Sequence, residues 1–262
     1  MLQILFFDLT VPLNASVKFV MLYVFLIFSI SCSFDINEKG MEDISELYGC
    51  TIRSSIKYLN NHEIENQPSL QIVLSNGDGI NDQEPELIGS NSARLIFNSL
   101  TPEDRSKYSE INVRIELGNG NTSVSEYKYS TDELFIVYQK QYLYSDIMHF
   151  IMDQNYAYLW SSCFKGIKRE TSTKDMTRLL SSLDDRFGPV KDSVIRGFMI
   201  FDHRQEGDEM KLVKFFGIQM RSKQNVNFNV TFSVDPEDEK IYAFDFYSSN
   251  SGVEATWFLY LP

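Results

Sequence analysis

The side chains best suited to metal binding or acid–base catalysis are few in this sequence and widely separated. Histidine occurs only at His62, His149 and His203, and no HxxxH or CxxC pattern joins them. A metal site needs several ligands that converge on one point, so the sequence predicts no metal site. Asp202 and His203 are adjacent and could form an acid–base pair, but a solvated loop is the simpler interpretation.

Other fragments of known motifs are incomplete. The segment 76–82 has the Asn, Gly and Asp residues of a calcium loop, but the EF-hand ligand spacing with its closing glutamate is absent. A turn is therefore the simpler interpretation. Ser161 and Ser162 lie outside any G-x-S-x-G elbow, and no Gly-rich phosphate loop occurs. The sequence predicts no catalytic residue and no cofactor-binding residue.

Cys32 is the cysteine for which the sequence does indicate a chemical role. It ends the uncharged apolar run 19–31, which follows Lys18. A membrane-spanning helix needs about 20 apolar residues, whereas the apolar core of an export signal needs roughly 7–15 with small residues at its end. The run resembles a bacterial lipoprotein signal: Ser31 and Cys32 match it, although Ser29 stands where leucine is usual. We therefore expect a signal over residues 1–32, lipid attachment at Cys32 and a polar tether over 33–40.

Two other interpretations of the N-terminus remain open. It could be a secretory signal that is cleaved without lipid attachment, or an uncleaved membrane anchor over residues 2–34. Before Lys18 the only charge is Asp8, so translation could also start at Met21 or just upstream of Lys18. Under the lipoprotein interpretation the chain lies in the cell envelope, facing the periplasm or the exterior, with the membrane as its first partner.

The composition limits which classes of partner the protein can have. The net charge is −12, and an acidic surface repels phosphate backbones, so we expect no nucleic-acid partner. The 20 Phe and 14 Tyr residues favour a sheet-rich core. Cys50 and Cys163, each within a predicted helix, could pair in an oxidising compartment or remain two buried free thiols.

In the first half of the chain, the patterns predict a small α+β domain over residues 41–138. The apolar spacing of 3–4 residues predicts a helix from Met41 to Asn60. Ser90 and Asn91 are typical caps for a helix that reaches Leu100. Three strands are expected, at 70–74, 111–117 and 124–129, with a hairpin turn at 118–121.

In the second half, capping boxes mark two helices. Ser130 with Glu133 begins a helical region that breaks at 153–155, and Ser172 with Asp175 begins a helix that ends at Gly188. The period then changes to two residues. We expect strands at 194–201, 212–220, 226–232 and 241–247, and an edge strand at 256–261. We also expect a polar connection at 202–208, a hairpin turn at 235–238, and a bend or bulge at Gly217.

This order of elements resembles the cystatin-like α+β roll of the nuclear-transport-factor-two-like superfamily. The resemblance rests on residues 150–160, on 172–189 and on the strands to Tyr247, and it covers about residues 141–250. The predicted fold class is therefore α+β: a cystatin-like roll at 141–262, with helices packed on a curved antiparallel sheet, preceded by the smaller domain. The resemblance implies a cone-shaped pocket, in which some relatives are isomerases or dehydratases and others only bind.

The expected function is that of a non-enzymatic binding or interaction module, whose partner is an unknown protein or small molecule. The alternatives are an exported isomerase- or hydratase-like enzyme and a membrane-anchored structural protein. A buried carboxylate that faces a Tyr or His in an open cone would favour the enzyme, and a cone filled by Phe and Leu would favour the binder. The aromatic pairs Tyr156/Trp160 and Phe228/Phe232 are predicted to be core.

Overall fold

The computed structural model describes residues 38–58, 68–81, 83–117, 123–170, 172–205 and 208–247. All of them belong to one compact unit that spans Asn37–Pro262. Predictions for Cys32, the signal, most of the tether, His62, the 118–121 turn and the 256–261 strand lie outside the described residues.

The described residues form the following helices and strands. The helices are α1 Glu38–Tyr48, α2 Asp78–Asn81, α3 Pro85–Ser99, α4 Pro102–Arg105, α5 Thr131–Met152, α6 Tyr156–Ser161, α7 Lys165–Glu170 and α8 Thr173–Phe187. The strands are β1 Thr51–Lys57, β2 Ser69–Ser75, β3 Glu110–Leu117, β4 Ser123–Ser130, β5 Val190–Gln205, β6 Asp208–Arg221, β7 Val226–Ser233 and β8 Ile241–Tyr247.

The first half of the unit forms a mixed four-stranded sheet in the order β1-β2-β3-β4. Its central pair is parallel, with Leu70 opposite Ile111, and both outer pairs are antiparallel. A parallel pair needs a crossover connection, which α2, α3 and α4 supply. The strands predicted at 70–74, 111–117 and 124–129 are confirmed.

The helix predicted over residues 41–60 is wrong beyond Tyr48. Gly49 has a φ of 59°, a left-handed conformation that glycine adopts at low cost and that ends α1. Residues 51–57 then form β1, which pairs with β2 along its whole length. The β-branched residues Thr51, Ile52 and Ile56 fit an extended strand, and pairing with β2 outweighs the helical spacing of the apolar residues.

The second half forms an antiparallel meander in the order β5-β6-β7-β8. The pairing of β5 with β6 shifts by one residue at Arg196, between Ile195 opposite Gly217 and Gly197 opposite Phe216. A bulge was predicted at Gly217 of β6, and the structure places it in β5, opposite Gly217. The connection predicted at 202–208 is wrong, because β5 and β6 continue pairing until Gln205 lies opposite Asp208; polar side chains do not prevent a solvated ribbon from pairing its backbone.

Helix α5 packs on this second sheet, and α8 packs against α6. Both predicted capping boxes are present, at Ser130/Glu133 and Ser172/Asp175. The break at 153–155 is also confirmed, because α5 ends at Met152 and Asn155 caps α6. The protein is thus an α+β protein with helices on an antiparallel sheet. The predicted boundary between two domains, at 138–141, falls inside α5.

Helix α3 connects the two sheets. It begins at Pro85, so the predicted start at Ser90 is wrong, and Ser90 and Asn91 are buried inside the helix. The Ser90 hydroxyl accepts a hydrogen bond from the Phe198 N–H at 3.0 Å. Because β5 is an edge strand, this contact satisfies and covers a group that would otherwise be open to pairing with another chain.

Gly197 allows α3 to approach the edge of β5. A Cβ at this position would lie 2.8 Å from the Ser90 Oγ and 3.0 Å from the Leu87 carbonyl oxygen. Both distances are too short for an ordinary contact. The glycine is therefore required by the close approach of the helix.

The first prediction concerns the buried face of α8. Leu180 is fully buried, and its truncation removes apolar contacts and leaves a cavity. We expect Leu180→Ala to lower the free energy of unfolding by about 2–5 kcal/mol, measured by urea denaturation. Ser181→Ala, at an exposed position of the same helix, is the control. A loss below about 0.5 kcal/mol for Leu180→Ala would contradict the packing of α8.

The second prediction concerns the contact between α3 and β5. Ser90→Ala leaves the Phe198 N–H buried without an acceptor, at a cost of about 1–3 kcal/mol. Gly197→Ala places a methyl group against Ser90 and Leu87, at a similar cost from overpacking. Met199→Ala, at an exposed position of the same strand, should change the unfolding free energy little. Wild-type stability of both Ser90→Ala and Gly197→Ala would show that α3 does not press on this edge.

Candidate functional site

The structure does not bring the predicted chemical residues together. His149 is exposed on α5, where its Nδ1 lies 2.9 Å from the Ser145 carbonyl oxygen, and His203 lies on β5. Asp202 and His203 are consecutive strand residues, so their side chains point to opposite faces. Within the described ranges, no group of three or more His, Cys, Asp or Glu could hold a metal ion. The segment from Asn76 forms a turn, with φ of 57° at Asn76, that leads into α2.

The two cysteines in the described part of the chain are free and buried. Neither lies in a helix: Cys50 falls between α1 and β1, and Cys163 forms an isolated bridge with Ile241. Burial raises the pKa of both thiols, that of Cys163 to about 12. The nucleophilic thiolate is therefore scarce at neutral pH, and the free-thiol alternative holds.

Aromatic rings fill the face of the second sheet that carries α5. The Tyr144 ring lies 6.1 Å from that of Phe215 and 5.9 Å from that of Phe228, and the Phe228 and Phe246 rings stack at 4.9 Å. Phe228 and Phe232 are buried, as is Tyr156, so the prediction that they are core is confirmed. Trp160 is half-buried, with the Lys168 amine 5.1 Å from its ring centroid.

One carboxylate does face a tyrosine beside this core. The Tyr156 hydroxyl donates to Asp184 at 3.0 Å, and the fully buried Arg221 side chain donates to the same carboxylate at 2.7 Å. The Asp184 charge is therefore neutralised by Arg221. Burial, and then the neighbouring Asp184 charge, raise the pKa of Tyr156. This group connects α6, α8 and β6 and is not a free acid–base pair.

A second polar cluster lies where α1, α3, α5 and β5 meet. We call it the arginine–tyrosine cluster, and it comprises Tyr48, Asn91, Arg94, Gln141 and Arg196. The Asn91 amide donates to the Tyr48 hydroxyl at 3.0 Å, and its carbonyl oxygen accepts from Arg94 Nη2 at 2.8 Å. Arg94 Nη1 donates to the Gln141 carbonyl oxygen at 3.2 Å. The cluster therefore links three helices through amide groups.

The arginine–tyrosine cluster is electropositive in an acidic protein. Burial lowers the pKa of Arg94 to about 10, which leaves its guanidinium charged at neutral pH. Among the described residues, neither Arg94 nor Arg196 forms an ion pair. Burial raises the pKa of Tyr48, and the charges of Arg196 and Arg94 oppose that shift.

A surface pocket of about 410 Å³ lies along α5, beside the β7–β8 turn. Gln141, the acceptor for Arg94, is one of its lining residues. The others are Tyr138, Gln139, Lys140, Tyr142 and Pro236. Lys140 is buried and donates to the carbonyl oxygens of Asp235 and Asp238, at 2.5 and 2.7 Å, so it attaches the β7–β8 turn to α5.

Sequence reasoning missed the arginine–tyrosine cluster. Its members come from four separate elements, and Asn91 was interpreted as a helix cap. One signal was present: Arg196 interrupts the apolar strand pattern of residues 194–201 and is followed by Gly197. A charge beside a glycine within a strand is typical of a bulge that redirects a side chain.

Comparison with known proteins found no similarity: the chain matches no protein-family model, no curated protein and no solved structure. Across the described ranges, no helix combines the length and apolar character that crossing a membrane requires.

The third prediction concerns the thiols. Because Cys50 and Cys163 are buried and have raised pKa values, we expect iodoacetamide at about pH 8 to label them only after unfolding. Mass spectrometry of the labelled chain, with and without urea, makes the measurement. Rapid labelling of the folded chain would contradict the burial, and a peptide that links Cys50 to Cys163 would contradict the free-thiol assignment.

Proposed function

We propose that this chain is an exported lipoprotein, attached to a membrane through Cys32, whose folded body is a non-enzymatic binding module at the cell envelope. We further propose that its C-terminal half is a roll of the cystatin-like kind. Support for the roll comes from the order of its elements: a long helix, two short helices, a capped helix, and then four antiparallel strands in sequential order.

One observation carries the proposal of binding rather than catalysis. Side chains occupy the space that such a roll would use for chemistry. Phe215 and Phe228 are almost fully buried against the Tyr144 ring, and the buried Phe246 ring stacks on Phe228. A reaction needs a cavity into which an acid or base can project. The carboxylate closest to that role, Asp184, is neutralised by Arg221.

The surface of α5 supports the same proposal. Phe135, Tyr138 and Tyr142 are between 38% and 49% exposed, and they follow one another at helical spacing of three and four residues along one side of the helix. Arg105 lies over the Tyr138 ring at 4.1 Å. Exposed Tyr, Phe and Arg are the residues enriched at protein contact surfaces. We propose that this side of the molecule, beside the arginine–tyrosine cluster, faces the ligand or partner.

The fourth prediction tests lipid attachment. In the native host, the mature chain should begin at Cys32 and carry the added mass of a diacylglycerol group, measured by intact mass spectrometry of the membrane fraction. Cys32→Ala should remove the lipid mass and the membrane attachment. Cys50→Ala, which changes a buried thiol, is the control and should retain both.

Two results would contradict the fourth prediction. One is recovery of the wild-type chain in the cytosol with residues 1–31 intact. The other is a wild-type chain that remains in the membrane fraction with residues 1–31 still attached, which would support the alternative of an uncleaved anchor.

A further inference from the structure

The aromatic side of helix α5 borders the surface pocket of about 410 Å³. Phe135, Tyr138 and Tyr142 are 49%, 38% and 46% exposed, and the two tyrosines also line the pocket. From Phe135 to Tyr142 the helix rises by about 10 Å, roughly the length of three residues of an extended peptide. This side of the molecule therefore offers a peptide a row of rings that leads into a pocket.

The Tyr142 ring is held by an acidic residue. Its hydroxyl donates to the Glu239 carboxylate at 2.6 Å, and this hydrogen bond is the main cause that raises the pKa of Tyr142 to about 12. Asp146, one helical turn further along α5, is also exposed. Within the described ranges, Arg105 lies over the Tyr138 ring at 4.1 Å, but no cation lies over the Tyr142 ring. The face of the Tyr142 ring is therefore open to an incoming cation.

The β7–β8 turn supplies negative charge at the same place. Pro236 of this turn lines the pocket. Four carboxylates belong to the turn: Asp235, Glu237, Asp238 and Glu239. In the part of the chain that the structure describes, none of the four forms an ion pair.

The cations beside the turn do not balance these four charges. The buried Lys140 amine donates to two backbone carbonyl oxygens of the turn rather than to a carboxylate, and Lys240 is exposed to solvent. Two positive charges thus accompany four negative ones. The turn end of the pocket is therefore acidic, and its charge is complementary to that of a basic partner.

We propose, on the basis of the binding function proposed above, that the pocket between Tyr142 and the β7–β8 turn binds a lysine or arginine side chain of a protein partner. The rest of that peptide segment lies along the aromatic side of α5. A cation is attracted both to the face of a tyrosine ring and to nearby carboxylates. An acidic peptide would be rejected by repulsion between like charges.

Isothermal titration calorimetry of the full-length chain in a non-ionic detergent tests the proposal. The probe is acetylated tetralysine amide, with tetraglutamate as the peptide of opposite charge and tetramethylammonium as a small cation. Salt at about 100 mM screens long-range attraction to the acidic protein. Tetralysine should bind, tetraglutamate should not, and tetramethylammonium should bind more weakly than tetralysine because it lacks the contacts along α5.

Variants locate the site. Tyr142→Leu removes the ring and Glu239→Gln removes a charge, and each should weaken tetralysine binding about threefold or more. Tyr142→Phe, which retains the ring, should bind more tightly than Tyr142→Leu. Tyr158→Leu on α6 and Glu126→Gln on β4 are the matched controls; both residues are exposed, and both variants should bind like the wild-type chain. Circular dichroism of each variant verifies that it is folded.

Four results would overturn the assignment: no tetralysine binding beyond that of tetraglutamate, binding of tetramethylammonium as tight as that of tetralysine, wild-type affinity in folded Tyr142→Leu or Glu239→Gln, or an equal loss of affinity in Glu126→Gln. None of these results would alter the mass of the lipidated N-terminus or the filled interior of the roll. Failure of the basic-peptide site is therefore distinguishable from failure of the proposed function.

Discussion

The close contact between helix α3 and the edge of strand β5 is the constraint on which the rest of the unit depends. Ser90 accepts from the Phe198 N–H, and Gly197 lets the helix approach. The same helix packs on the first sheet, where a Cβ at Gly89 would lie 2.8 Å from the Tyr127 ring. A displaced α3 would expose an edge strand and would also separate Arg94 from Gln141 on α5. Stability and the candidate site therefore rely on one set of small residues.

The bulge beside this contact separates an apolar region from a polar one. Tyr144 belongs to both: its ring packs between Phe215 and Phe228, while its hydroxyl occupies the notch at Gly217, opposite the bulge. The rings that pack against Tyr144 belong to the core of the second sheet.

The sequence predicts the elements whose signals are local. The capping boxes at Ser130 and Ser172, the glycine at position 188 and the alternation in β6–β8 all depend on neighbouring residues, and the structure contains them. Strand β1 was missed because pairing with β2 decides its conformation. The true start of α3 and the arginine–tyrosine cluster were missed for the same reason: Ser90, Asn91 and Arg196 find their partners on elements that are distant in sequence.

The turns of the second sheet differ in the hydrogen bonds that attach them to the rest of the unit. Lys140 attaches the β7–β8 turn to α5, and the β6–β7 turn donates from Ser222 and Lys223 to the carbonyl oxygens of Pro189 and Phe187. At the β5–β6 end, the exposed pair Arg204–Glu209 lies within the ribbon itself. Amide hydrogen exchange in this sheet should accordingly begin at the β5–β6 end and reach the anchored turns last.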